Sequence, residues 1–196
     1  MPDYQKSREM IDAHLEEYEN ILREAYRASL VSVDNFQDWI FTKFRELGME
    51  AEEFRVKGSE IEDLPTFRAT YPNPSEISEG PKNIVGYLNK EAEGGILLYA
   101  HADKKPETYE YGKSTPEIVE KDGKYVGAGI ADDVSGLASM LSAVKLYLDL
   151  GYTPKKQIMI ASILGKQGGV FGTNGLMRRY GPLDAASYMH PTESGA

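Results

Sequence analysis

Four stretches of this chain end in side chains able to bind a metal, move a proton or hold charge. They are His101 with Asp103, Asp132 with Asp133, Lys166 with Gln167, and His190 followed by Thr192 and Glu193. On a strand, residues i and i+2 project to the same face, so the His101 imidazole and the Asp103 carboxylate can be neighbours. A carboxylate beside a histidine ligand fixes its tautomer and orientation. A sheet edge also produces such a pair by chance, so this tripeptide alone does not decide for a metal. Asp132 and Asp133 stand at the start of a helical pattern, where acids also act as caps and answer the helix dipole. The pair follows VGAGIA, a turn of small residues that lets a ligand come close to the backbone.

Two phosphate-binding readings fail on the same residues. Gly127, Gly129 and Asp132 give G-x-G-x-x-D, with an acid where a dinucleotide fingerprint needs its third glycine or alanine. A pyrophosphate would meet that carboxylate, and the strand that follows ends at Gly165 and Lys166 with no ribose-binding acid. GKQGGVFG (165–172) is no phosphate loop either, because its lysine precedes the glycines and no Lys-Ser/Thr pair follows them.

The elements that must position these residues are legible as alternating patterns. Ile11, Leu15, Tyr18, Leu22 and Ala25 form one helical stripe. Asp34 and Gln37 form a capping box that opens a second helix, carrying Phe36, Trp39, Ile40 and Phe44 and stopping at Gly48. Residues 59–82 read as irregular surface with short edge strands. NIVGYLN (83–89), ILLYAHAD (96–103) and QIMIASIL (157–164) are apolar runs of the kind buried strands show. An Asp-Gly turn at 122–123 marks a hairpin within 117–129. A helix is expected from Asp132–Asp133 to Gly151, a shorter one after the glycine loop 165–172 and ending at Gly181, and a strand over AASYMH (185–190). Strands alternating with helices predict an α/β three-layer sandwich with a mixed, largely buried sheet. In open α/β sheets ligands gather where strands end, and the four chemical stretches fall there.

Composition narrows the function. The chain has 196 residues, 41% of them hydrophobic, which suffices for one packed domain over 1–196. It has no cysteine, which removes disulfides, thiolate metal sites and a cysteine nucleophile together. A net charge of −9 argues against a nucleic-acid partner. No run is long and apolar enough for a membrane span, and no apolar signal core opens the chain, so a cytoplasmic setting without membrane contact is expected.

Four segments together resemble the zinc-dependent metallopeptidase family of aminoacylase, carboxypeptidase G and succinyl-diaminopimelate desuccinylase. ILLYAHAD resembles the family's strand ending in His-x-Asp. YVGAGIADDVSGLASMLSAVKLYLDLG resembles its Gly-x-Gly-x-x-Asp-Asp-Lys-x-Gly segment and the helix after it. GKQGGVFGTNGL resembles its Glu-Glu loop, and MHPTESG its Glu-Pro-Thr segment. The opening IDAHLEEYENILREAYRASLVSV and the helix end FRELGMEAE are similar to the family's start.

The resemblance implies a zinc-peptidase-like fold and hydrolysis of an amide bond in a small N-acyl amino acid or dipeptide. Family members use two zinc ions sharing an aspartate, and a glutamate that activates water. Carried over, His101, Asp132 and His190 are expected to bind one zinc, with Asp103 orienting His101 and Asp133 beside the bridging position. Lys166 stands where the family has its general base, and Gln167 where it has an acidic ligand of the second metal. A neutral amide is a poor zinc ligand, so the second ion is expected to be weak or absent, with the Lys166 ammonium answering Asp132 in its place. A non-catalytic relative used for binding or assembly is the competing expectation. The family's inserted lid and later segment, with its last histidine ligand, are expected to lie outside these residues or to come from a partner chain.

Overall fold

The computed structural model describes residues 4–64, 78–105, 108, 112, 114–166 and 170–190. Gln167, Thr192 and Glu193, and residues 65–77 of the irregular stretch, therefore lie outside the described residues.

Five strands form the main sheet: β1 (Glu50–Phe54), β2 (Asn83–Leu88), β3 (Gly95–His101), β6 (Gln157–Ile163) and β7 (Ala185–Tyr188). Their order is β1-β2-β6-β3-β7. β1–β2 and β2–β6 are antiparallel, whereas β6–β3 and β3–β7 are parallel, so the sheet is mixed as expected. The apolar runs are continuous because both faces are covered. Ile84, Leu88, Ala100 and Ile160 enter one core, and their neighbours Val85, Tyr87, Leu97, Met159, Ala161 and Ile163 enter the other.

Helices α2 (Leu15–Val31), α3 (Val33–Glu46) and α4 (Ser135–Asp149) cover the first face with Tyr26, Phe36, Ile40, Phe44, Leu137, Met140 and Leu141. Helix α5 (Phe171–Tyr180) and the turn Gly58–Glu60 cover the second with Phe171, Leu176 and Ile61. Helices on both faces make the three-layer sandwich. Parallel neighbours need crossovers, and here α4 leads into β6 and α5 joins β6 to β7. The hairpin β4 (Val119–Lys121) and β5 (Lys124–Val126) stands apart as a two-stranded sheet around Asp122 and Gly123.

Several boundaries differ from the pattern reading. The first apolar stripe is two helices, α1 (Tyr4–Ala13) and α2, broken at His14. Helix α1 buries none of its residues, so periodicity there marks an amphipathic surface turn without a core to meet. Ser32, not Asp34, caps α3, because its extended backbone lets Oγ accept the Asn35 N–H at 3.0 Å. Gln37 is instead buried and donates to the Lys82 and Ser162 carbonyls. β1 was not expected from EAEEF, since its charges suit an edge strand rather than a buried one. Helix α4 starts at Ser135, because Asp132 and Asp133 hold non-helical backbone angles in the turn Ile130–Val134.

One lysine lies inside the helical layer. Lys104 is 8% exposed and donates to Ser29 Oγ at 2.6 Å and to the Ala128 carbonyl at 3.1 Å. Burial pulls its pKa down to about 8, from an ordinary 10.5. Between those values the unfolded chain keeps a proton that the folded chain releases, so this residue makes stability rise with pH across the window. Below it the lysine costs up to roughly 3 kcal/mol, partly offset by its hydrogen bonds. Lys104→Met removes this pH dependence, so the difference in stability between the two proteins is expected to move in favour of wild type as the pH rises from 7 to 10. Urea unfolding at both pH values checks this, and a difference that stays constant would contradict it.

Candidate metal centre

The parallel strands β3, β6 and β7 end side by side, with His101 in register with Ile163. His101 is the last residue of β3, Lys166 follows β6, and His190 follows β7. The fourth group arrives from the turn Ile130–Val134 ahead of α4. Gly129 starts that turn in the left-handed region (φ 73), which favours glycine. Gly136 lets α4 pack against the end of β7, since a Cβ there would run into the Met189 carbonyl and the Asp133 carboxylate.

These elements converge on one oxygen. Asp132 Oδ1 lies 2.7 Å from His101 Nε2, 2.7 Å from Lys166 Nζ and 3.0 Å from His190 Nε2. Lys166 Nζ is also 3.0 Å from His190 Nε2. The Asp132 carboxyl is held well below the usual carboxylate range. Its partial burial opposes this, but the hydrogen bonds from Lys166, His190 and His101 prevail.

The His101 ring is fully buried, and its Nδ1 faces the Asp103 main-chain carbonyl at 3.0 Å. The Asp103 carboxylate is at 3.4 Å from that nitrogen, and its Oδ1 accepts the Lys166 N–H at 3.3 Å. Burial disfavours a charged ring, yet the bonds to Asp103 and Asp132 raise the His101 pKa above its ordinary value. With an oxygen facing each ring nitrogen, a cation bound at Nε2 would take the place of any proton between that nitrogen and Asp132.

Asp133 turns the other way. It is buried and accepts the N–H groups of His101 and Gly136, at 3.4 and 3.2 Å. Burial pushes its pKa up to about 6, against the opposing charge of His101. Its contacts tie β3 to the start of α4.

Of the residues singled out from sequence, His101, Asp103, Asp132, Asp133, Lys166 and His190 thus meet in one place. Ligand atoms of His101, Asp132 and His190 lie within 4.8 Å of one another. Two imidazoles and a carboxylate are a donor set that suits a tetrahedral zinc ion with an open position. The residues present therefore fit a metal.

The sequence reading missed two aromatic neighbours. Tyr99 and Tyr188 stack at 4.9 Å, and Tyr188 lies 5.2 Å from the His190 ring, which stacks on His101 at 5.7 Å. The strand period was the available signal, since each tyrosine precedes its histidine by two residues and shares its face. A cavity of about 510 Å³ lies between α2, α3 and α4, lined on α4 by residues from Leu141 to Asp149, toward the end away from Asp132. Its lysines bridge its own acids, Lys43 to Glu24 and Glu46, and Lys145 to Glu17 and Asp149.

Known proteins share this arrangement of elements. The solved structure of human carnosine dipeptidase 1 matches with a TM-score of 0.64 and 19% identity, over 94% of this chain and 40% of that one. The di-peptidase Dug1p of Saccharomyces cerevisiae gives a TM-score of 0.66 at 17% identity, with 94% and 40% covered. In sequence, the Cys-Gly metallodipeptidase dug1 of Schizosaccharomyces pombe is 26% identical over 157 residues, covering 73% of this chain. The N-formyl-4-amino-5-aminomethyl-2-methylpyrimidine deformylase of Bacillus subtilis is 25% identical over 149 residues, covering 72%. The chain spans 30% of the length of each of these two sequence relatives. Residues 83–189, more than half of the chain, match the model for peptidase family M28, and the chain belongs to that family.

Proposed function

We propose that this chain carries a single-zinc centre for hydrolysis of an amide bond in a dipeptide or a small N-acyl amino acid. The observation that carries the reading is the convergence of two imidazoles and one ammonium on a single carboxylate oxygen of Asp132. His101, Asp132 and His190 would hold the zinc. Bound there, zinc would polarise a carbonyl and lower the pKa of a water molecule. Asp103 fixes the His101 ring by its carbonyl, leaving Nε2 directed at the site. The Lys166 ammonium offsets the charge of Asp132 where a two-metal site would place a second dication. The M28 membership and the metallodipeptidase and deformylase among the relatives support this class of reaction. The narrower kinship with aminoacylase, carboxypeptidase G and succinyl-diaminopimelate desuccinylase rests on the four sequence segments.

In this reading residues 1–196 form one catalytic-type domain, and further substrate contacts come from additional polypeptide, in the same chain or from a partner. One observation favours a second reading, a non-catalytic relative that binds its ligand. Lys166, a base only when neutral, stands in the loop where the resemblance places the glutamate.

The test is turnover by chelated and zinc-reloaded protein on a panel of N-acetyl amino acids and dipeptides, Cys-Gly included. Zinc-dependent release of free amine is the expected result. Zinc uptake without turnover selects the non-catalytic reading, and absence of both overturns the metal centre.

A further inference from the structure

We propose that Lys104 is a positioning residue that locks the turn carrying Asp132 to the strand end carrying His101. The inference rests on the metal-centre reading above. Lys104 belongs to the segment that leaves β3, directly after Asp103, whose carbonyl faces His101 Nδ1. Its stem passes against Gly129, where a Cβ would lie 2.8 Å from Lys104 Cε. A side chain at 129 would therefore push the lysine out of its place, independently of the left-handed backbone there.

Beyond Gly129 the ammonium reaches the Ala128 carbonyl at 3.1 Å and Ser29 Oγ at 2.6 Å. Ser29 donates in turn to the Tyr26 carbonyl at 2.7 Å. The Tyr26 hydroxyl accepts the Ala128 N–H at 3.0 Å and donates to the Thr115 carbonyl at 2.7 Å. Both polar backbone groups of Ala128 are thus held, the carbonyl by a lysine from the β3 end and the N–H by a tyrosine of α2. The chain then enters the turn through Gly129, whose carbonyl accepts the Val134 N–H at 3.2 Å, and Asp132 lies between them.

An apolar side chain of similar length would fill this space without bringing an ammonium out of water. A buried charge kept against its desolvation cost has its best-attested use in fixing one arrangement among several. Here the arrangement fixed is the distance between two metal-ligating segments that are far apart in sequence. Its ammonium donates to Ser29 and to the Ala128 carbonyl, so Lys104 acts on the ligands through the backbone of Ala128 and Gly129.

The experiment compares Lys104→Met and Ser29→Ala with the wild-type chain by amide hydrogen exchange and by zinc titration against a competing chelator. Lys104→Met is expected to stay folded, while the Ala128 and Val134 amides exchange at least about tenfold faster and the zinc Kd rises at least about tenfold. Ser29→Ala should move both in the same direction, by less. A merely structural lysine would alter the melting temperature and leave both readouts where they were. A folded Lys104→Met protein within twofold of wild type on both overturns the proposal. If Lys104→Met does not fold, Ser29→Ala decides by the same readouts. If the wild-type chain takes up no zinc, the metal-centre reading fails, and exchange at Ala128 and Val134 alone decides the role of Lys104.

Discussion

Replacing Asp132 with asparagine should weaken zinc binding at least about 100-fold, since even groups that only support metal ligands are worth 10–100-fold. Three donors now share one oxygen of this carboxylate, from His101, Lys166 and His190. Asparagine keeps the shape but removes the charge that answers them. A cation would then join a site holding two imidazoles and an ammonium with no anion among its ligands, and Coulomb repulsion would oppose it. The folded state should feel the change less, because the Asp132 side chain is 46% exposed and solvent screens it. Its carboxyl titrates lower in the folded chain than the ordinary 3.8. Its contribution to stability is therefore complete above about pH 4 and is lost on acidification below that. The difference in stability between wild type and Asp132→Asn should consequently narrow as the pH falls from 4. Isothermal titration with zinc and acid unfolding read the two effects separately. Unchanged zinc affinity in the variant would remove Asp132 from the ligand set.

The second large effect concerns the number of ions. Lys166 Nζ lies 2.7 Å from Asp132 Oδ1 and 3.0 Å from His190 Nε2, so a cationic side chain already neutralises this side of the cleft. Lys166→Glu with Gln167→Glu reverses the sign there and offers carboxylates to a divalent ion. Without metal the double variant places the acid at 166 beside Asp132 and should be less stable than wild type, because like charges within a few ångströms oppose ionisation. With zinc it should bind more than one ion per chain and recover that stability by linkage. Lys166→Met separates the two contributions, since it removes the ammonium without adding a ligand. That variant should hold one ion, more tightly than wild type does. A double variant that still takes up a single ion, with wild-type affinity, would argue against the correspondence of these positions with a second metal site.

How much of this was legible in the sequence depended on whether the signal was local. β2, β3 and β6 were readable because strands covered on both faces are written as continuous apolar runs, and α4 because its core face repeats at the helical period. β1 was not, since Glu50, Glu52 and Glu53 look like surface loop until β2 is known to lie beside them. Glu52 finds the hydroxyls of Tyr87 and Tyr180 only through the tertiary fold. The insertion of β6 between β2 and β3 follows from long-range pairing that no local pattern encodes.

The site was partly legible for the same reason. Strand ends with chemical side chains stood out, and His101, Asp132, Lys166 and His190 do meet. The shared oxygen of Asp132 did not stand out, because it depends on how the turn Ile130–Val134 departs from helix. Asp103 faces His101 Nδ1 with its carbonyl at 3.0 Å as well as its carboxylate at 3.4 Å, a distinction invisible in one-letter code. Lys104 was unreadable, since a lysine in a polar stretch is ordinarily solvated and only packing beneath Gly129 buries it.

The central claim is best tested by counting zinc. The wild-type chain, stripped with chelator, dialysed against zinc and washed, should retain close to one ion per chain by inductively coupled plasma mass spectrometry. Retention should fall toward zero in His190→Ala. Two firmly held ions, or none, or full retention in that variant would contradict a mononuclear site built from His101, Asp132 and His190.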